Sequence, residues 1–361
     1  MMNFQQPILV HKPSQLSVHW AQTIVNQHTA HAQVFAVNLR SVDVGTSTRL
    51  RIEVEHDATG VLPNRWFVKT PSLAFKSRLI TALPRFLHKE VSFYNEVAAD
   101  IPLALPKVLA AQSRFGRGST LVLTDLAEMN YRPGQAADAL TLEQASQVIG
   151  QLAQLHGRYW HNQYLVQRHQ WLSDFSHHME NTMGSLLAVP LMRRGLASAN
   201  NLVPQRLHAA ALYYAAKRRS LKAKLAQHAQ TLVHYDCHPG NLFWTDSGPG
   251  FLDWQLVRLG DAVGDVAYFL ANALQPELRR AHEKQLLNQY LQHLQALGIA
   301  ELDEHDLWQR YRAHLVYPFE AMLITLAIGG MMDVDSNVAL IQRTVAAVDD
   351  HDSFTVLKNL V

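Results

Sequence analysis

Charge and hydrocarbon alternate through residues 49–55: Arg49, Arg51, Glu53 and Glu55 against Leu50, Ile52 and Val54. A period of two puts one face in a core and the other in water, which is the pattern of a half-buried strand. From residue 141 the period lengthens. Ala145, Val148, Leu152, Leu155 and Tyr159 recur every three or four positions, the apolar stripe of a helix over 141–160, with Thr141 and Gln144 spaced to cap its start. This change of period constrains the fold more than any other feature. A strand-rich segment followed by a helix-rich one gives an α+β chain of two parts.

The flanking segments agree. "VFAVNLRSVDVG" and "TRLRIEVEH" read as strands, as do "RWFVKT" (65–70) and "STLVLTDL" (119–126), while "HKEVSFYNEVAA" (88–99) has helical spacing. Residues 205–229, 262–275 and 280–297 also read as helices. The boundary falls near Asp125–Gly134, where Pro133 and Gly134 mark irregular chain. The expected division is 1–126 and 127–361, with a hinge at about 123–130.

The balance of charge narrows the partners. Lys plus Arg number 32 and Asp plus Glu 30, so no polyanion-binding surplus exists and nucleic acid is not expected. The longest apolar run, "AMLITLAIGGMM" (321–332), falls short of the roughly 20 residues a bilayer needs, so it reads as a buried helix. The N-terminus lacks the pattern of a secretory leader. With Cys237 as the one cysteine, a reducing cytoplasmic setting is expected.

That cysteine sits in "TLVHYDCHPGNLFWTDSGPGFLDWQ" (231–255), between His234 and His238. A structural zinc site wants four nitrogen or sulfur ligands, usually in two close pairs, and no second cysteine exists to form one. The oxygen-bearing residues make a better set. Asp236 and Asn241 share a loop with Pro239 and Gly240. Leu242–Thr245 and Gly250–Trp254 read as a hairpin around a turn at 246–249, which returns Asp253 towards that loop. Such oxygens suit a hard Mg²⁺ ion. Two of the three can hold metal while the third handles a proton, the division of labour that phosphoryl transfer requires.

His234-Tyr235-Asp236-Cys237-His238-Pro239-Gly240-Asn241 resembles the catalytic loop of the aminoglycoside phosphotransferase and choline kinase superfamily, small-molecule relatives of the protein kinases. "FLDWQLVRLGDAVGDVAYFL" (251–270) is similar to the following segment of its ecdysteroid kinase-like branch, and "LAQLHGRYW" (152–160) to the preceding helix. The resemblance covers roughly residues 40–350 and implies a two-lobed protein-kinase-like fold. An antiparallel sheet plus a helix would form a nucleotide-binding N-lobe, and a mostly helical C-lobe would carry the catalytic hairpin. It implies Asp236 as catalytic base, Asn241 and Asp253 as Mg²⁺ ligands, His234 as a brace for the loop, and Asp265 as its support from the next helix.

A kinase-like N-lobe also needs a strand-borne lysine held by a helix glutamate. Lys69 ends "RWFVK". Glu90 is the first choice of partner, through "KEVSFY", and Glu96 the second. Gly45, Thr46 and Ser47 resemble the branch's short phosphate loop and are also a plain hairpin turn. Thr124, Asp125 and Leu126 would offer main chain to the base of ATP, which leaves GTP open as donor. Tyr235 departs from the pattern: the superfamily usually has glycine there.

The acceptor pocket of such folds is built largely from the segment at 161–230. Here it holds nine bases, Arg168, Arg193, Arg194, Arg206, Lys217, Arg218, Arg219, Lys222 and Lys224, against two acids, Asp174 and Glu180. A polycationic acceptor would be repelled. Trp171, Phe175, Met183, Leu186, Leu187, Leu191, Met192, Tyr213 and Tyr214 suit a neutral or apolar small-molecule alcohol, with Tyr317 and Phe319 as a far wall or as core. The bases read as a solvated face. The expected activity is an ATP-dependent phosphotransferase with a hydroxyl acceptor. The alternatives are a catalytically silent nucleotide-binding relative, or an aminoglycoside- or choline-type kinase with a cationic acceptor. A protein kinase is disfavoured, because the chain lacks a multi-glycine loop, an Arg before Asp236, and an Ala-Pro-Glu segment. Nothing in the sequence fixes an oligomeric state.

Overall fold

The computed structural model describes residues 8–82, 85–172 and 175–359. The chain divides into two compact units, Met1–Asp100 with Leu105–Arg132, and Ile101–Ala104 with Pro133–Val361.

The first unit is built on a five-stranded antiparallel sheet. Its strands are β1 (Val34–Val44), β2 (Ser47–His56), β3 (Arg65–Pro71), β4 (Val108–Arg114) and β5 (Gly118–Thr124), in the order β1-β2-β3-β5-β4. Three helices accompany them: α1 (Val18–His28), α2 (Phe75–Ala82) and α3 (Phe86–Glu96). Side chains alternate along each strand. Leu50, Ile52, Val54, Trp66 and Val68 pack with Trp20 and Ile24 of α1 into one core. Lys69 follows Val68 and therefore faces the other way, where α3 buries Val91, Phe93 and Tyr94. The expected strand 119–126 ends at Thr124, because Asp125 caps a short 3-10 turn through the Ala127 amide. The expected helix 88–99 begins two residues earlier and stops at Glu96.

The second unit is mostly helical. Its helices are α4 (Leu142–Arg158), α5 (Gln163–Arg168), α6 (Phe175–Ala199), α7 (Gln205–Leu225), α8 (Ala262–Ala273), α9 (Pro276–Ala296), α10 (Glu304–His314), α11 (Val316–Ile328), α12 (Val334–Asp350) and α13 (Ser353–Asn359). β6 (Arg132–Pro133) falls at the boundary in the chain, and the second unit's own short strands are β7 (Gln230–Val233), β8 (Leu242–Thr245), β9 (Gly248–Phe251) and β10 (Arg258–Asp261). Thr141 and Gln144 form a reciprocal capping box at the start of α4. The stripe behind it buries Val148, Leu152 and Leu155, each contributing about 1.5–3 kcal/mol. No helix among the described residues is long and apolar enough to cross a membrane.

The placing of the strands matters most for the site. β10 pairs antiparallel with β7, Arg258 opposite Val233. The chain therefore leaves β7, makes the loop 234–241, runs out and back along β8 and β9, and returns beside its starting point. The hairpin is tighter than expected. Leu242 pairs with Phe251 and Thr245 with Gly248, so only Asp246 and Ser247 turn the chain. Gly248, at φ +126, begins the return strand. β9 then ends at Phe251, and Asp253 lies two residues beyond it.

Candidate active site

The loop after β7 is held by one carboxylate. Asp265 accepts the main-chain amides of His234 and Tyr235, each at 2.6 Å. Every residue of α8, which carries Asp265, is buried. A carboxylate there needs several donors to offset its lost hydration. His156 supplies another at 3.3 Å, its second ring nitrogen accepting from the Tyr290 hydroxyl at 2.8 Å.

His234 closes the loop from the other side. Its Nδ1 accepts the Asp236 amide at 3.2 Å, so Nε2 carries the proton and donates to the Leu252 carbonyl at 2.7 Å. The Leu252 amide in turn donates to the Asn241 carbonyl at 2.8 Å. These bonds tie residues 234–241 to the segment bearing Asp253, which has φ 58.

Asp236 sits half-buried at the centre. Tyr268 Oη donates to its Oδ1 at 2.7 Å, and Asn241 Nδ2 donates to its Oδ2 at 3.1 Å and to its main-chain oxygen at 2.9 Å. Its carboxyl is pushed up to about 7 by burial, which the Tyr268 hydrogen bond opposes and the negative charge of Asp253 reinforces. Anchoring Asn241 through Nδ2 turns its side-chain oxygen away from Asp236, as a cation ligand requires. Asn241 and Asp253 thus offer the hard oxygen donors that fit Mg²⁺. Among the described residues no group of three or more His, Cys, Asp or Glu could hold a metal ion. A cation here would take the rest of its shell from water and phosphate.

Cys237 and His238 take no part in this set. Burial pushes the Cys237 thiol well up and lowers His238 to about 4, and His238 Nδ1 accepts the Gly240 amide at 3.1 Å.

In the first unit Lys69 Nζ meets both carboxylate oxygens of Glu90, at 2.9 and 2.7 Å, with both side chains buried. Glu96 is exposed on the same helix. Gly45 and Thr46 connect β1 to β2; the Gly45 amide bonds the Ser47 carbonyl at 3.0 Å, and its carbonyl accepts from Ser72 at 2.8 Å. The amides of Thr124 and Asp125 bond the carbonyls of Lys107 and Arg65, and the Leu126 carbonyl accepts the Tyr131 amide at 3.1 Å. Part of the main chain expected to face a base is therefore engaged within the unit.

A model of the ecdysteroid kinase-like family matches residues 45–300. The chain belongs to this family. Its fold is similar to that of a Plasmodium vivax ethanolamine kinase, at 12% identity and TM-score 0.52, over 90% of this chain and 83% of that one. A Cryptosporidium parvum choline kinase aligns at 12% identity and TM-score 0.47, over 91% of this chain and 90% of that one. An aminoglycoside phosphotransferase from Alicyclobacillus acidocaldarius aligns at 16% and 0.45, over 94% of each. No curated protein matches the chain by sequence.

This ecdysteroid kinase-like protein has, within its second unit, a cavity of about 320 Å³ walled by Tyr235 and Tyr317. The two ring centroids lie 4.4 Å apart with the planes tilted by 32°, and Tyr317 also lies 5.3 Å from the ring of Tyr268, the donor to Asp236. Arg258 covers Tyr235 at 4.1 Å and pairs with Glu180 at 2.8 Å. Arg218 turns inward to Glu320 at 2.5 Å, beside the Tyr214 hydroxyl.

Few of the side chains expected to line an acceptor pocket do so. Tyr214 and Tyr317 face this cavity. Phe319 is fully buried against Phe354, and Trp171 and Met192 are also buried. Leu186, Leu187 and Tyr213 are exposed. Asp174 and the Phe175 side chain lie outside the described residues. Sequence reasoning gave no role to Tyr268, although it lies three residues after Asp265 and so shares its helix face. Arg258 gave no sequence signal, since its place depends on the pairing of β10 with β7.

Proposed function

We propose that the protein is an ATP- and Mg²⁺-dependent phosphotransferase that moves a γ-phosphoryl group to a hydroxyl of a small molecule. The observation that carries this reading is the joining of Asp236 to Asn241 through Nδ2, with Tyr268 on the other carboxylate oxygen and Asp253 beside them. Asp236 orients the acceptor hydroxyl and takes its proton. Asn241 and Asp253 hold the cation, which neutralises phosphate charge. Lys69, fixed by Glu90, binds phosphate oxygens, and residues 45–47 add donors. Of residues 124–126, the main-chain groups not engaged within the unit hold the base. The unit built on the sheet is the nucleotide lobe and the helical unit is the catalytic lobe. The acceptor's skeleton lies on the Tyr235–Tyr317 wall, which suits an apolar or aromatic body.

The test is phosphoryl transfer from Mg·ATP, and separately Mg·GTP, to a broad library of small alcohols, with mass spectrometry reading the products. Wild type is expected to phosphorylate a subset and the Asp236→Asn variant none. Equal inertness of both across the library, with no Mg·nucleotide binding, would overturn the proposal.

A further inference from the structure

We infer that the acceptor carries an anionic group, a carboxylate or a phosphate- or sulfate-type ester, which docks on Lys222 and Arg219. The inference rests on the reading of the helical unit as the acceptor-binding lobe. It concerns which molecule that lobe admits.

The charges around the Tyr235–Tyr317 cavity do not cancel. Four strong bases line it: Arg218, Arg219, Lys222 and Arg258. Two are matched, Arg218 by Glu320 at 2.5 Å and Arg258 by Glu180 at 2.8 Å. The one acid in the lining, Asp261, already serves Arg310 and His314. Lys222 and Arg219 have no carboxylate at ion-pair distance among the described residues. Among the described residues, two positive charges therefore stand over the cavity without a counter-charge.

Lys222 is more than a solvated lysine on a helix. It is half-buried, and its Nζ lies 5.4 Å from the Tyr235 ring centroid and 5.3 Å from that of Tyr317. The ammonium is thus held at the rim of the aromatic wall. Arg219 is exposed and lines the same cavity from the same helix, α7. At positions 219 and 222, three apart, the two share a helix face. An acceptor whose ring lies against Tyr235 and Tyr317 would bring an anionic substituent to both cations. The charge-assisted hydrogen bonds formed there are stronger than neutral ones. A cationic acceptor would meet two unmatched positive charges instead.

The test compares two probes that differ by one charge, para-hydroxymethylbenzoate and its neutral isostere para-hydroxymethylbenzamide. Their dissociation constants are measured by calorimetry on the full chain, wild type and the Lys222→Met/Arg219→Gln double variant. The benzoate is expected to bind wild type about tenfold or more tightly than the benzamide. The double variant should bring that ratio close to one. Equal binding, tighter binding of the benzamide, binding of neither, or a preference that survives in the double variant overturns the inference. Should the double variant fail to fold, the wild-type ratio still decides. Adding Mg·ATP separates the two claims. A bound benzoate that is never phosphorylated counts against the acceptor-site reading and leaves the anion preference standing.

Discussion

Asp265 Oδ1 accepts the main-chain amide of Tyr235 at 2.6 Å and so fixes a bulky residue at φ 69, directly before Asp236. Glycine adopts this left-handed conformation freely, and other residues do so at a cost of about 1–2 kcal/mol. The chain accepts that cost here, and the ring it gains forms the wall of the cavity. The departure from glycine noted in the sequence thus places a large ring on a backbone that glycine would adopt freely.

Replacing Tyr235 separates these two roles. Tyr235→Gly and Tyr235→Ala both remove the ring, but only Gly relieves the backbone. Gly should therefore be more stable than Ala by about 1 kcal/mol in urea melts. Both should raise the acceptor KM while leaving that for nucleotide unchanged. Asp265→Ala leaves one buried and one half-buried amide without this acceptor and should cost about 3 kcal/mol or more. If Ala matched Gly in stability, the left-handed strain would not be real.

Lys69 and Glu90 form a buried pair, so removing one takes a direct counter-charge from the other in the interior. Lys69→Met should lose about 3–5 kcal/mol of stability and most nucleotide affinity. Lys69→Met/Glu90→Gln should recover much of the stability and none of the affinity. Thermal melts and nucleotide titration read the two effects. Recovery of binding in the double variant would remove Lys69 from the site.

Much of this arrangement was legible in the chain, and the reasons for the rest are physical. The "HYDCHPGN" loop, the strand–helix spacing of Lys69 and Glu90, and the Thr141–Gln144 cap are short-range patterns that local chemistry imposes. α6 was not legible. Pro190 interrupts its pattern, and it packs against both α7 and α11, so no single apolar stripe marks it. "KRRSLKAK" read as a solvated face because the sequence cannot show that Glu320, 102 residues away, draws Arg218 inward. The handedness of Tyr235 was equally hidden, since its cause lies 30 residues on in Asp265.

Asp236→Asn keeps the size of the side chain and removes the proposed base. Turnover should fall by about two to four orders of magnitude, the usual contribution of a positioned general base. Stability near neutral pH should hold or rise, because burial opposes the ionised carboxylate. Retained turnover would sink the assignment of Asp236, whatever the acceptor.

The pH dependence of stability should show another carboxylate. Burial alone would raise Asp261, but His314 at 2.9 Å and the fork of Arg310 more than reverse it and hold the carboxyl well below the usual range. A depressed folded value means stability present above the unfolded value of about 3.9 and lost as pH falls below it. Wild type should therefore lose stability steeply below about pH 4, and Asp261→Asn should be weaker at pH 7 with a shallower acid slope. Parallel acid slopes for the two proteins would assign the loss to other groups.

Gly134 tests how the loop is braced from outside. Its amide donates to the Leu242 carbonyl at 2.8 Å, and a Cβ there would run into the Pro239 carbonyl oxygen. Its backbone is not left-handed, so alanine is excluded by contact alone. Main-chain oxygen cannot swing aside as a side chain does, so Gly134→Ala must displace the turn at 239–241 and with it Asn241. A loss of about 1–3 kcal/mol is expected, with a larger fall in Mg·nucleotide affinity than stability alone explains. Gly60→Ala supplies the contrast: Gly60 has φ +80 and open space around it, so it tests strain without collision. That variant should lose about 1 kcal/mol and keep its nucleotide affinity. If the two variants behaved alike in both measurements, the close approach of Gly134 to Pro239 would have no part in setting Asn241.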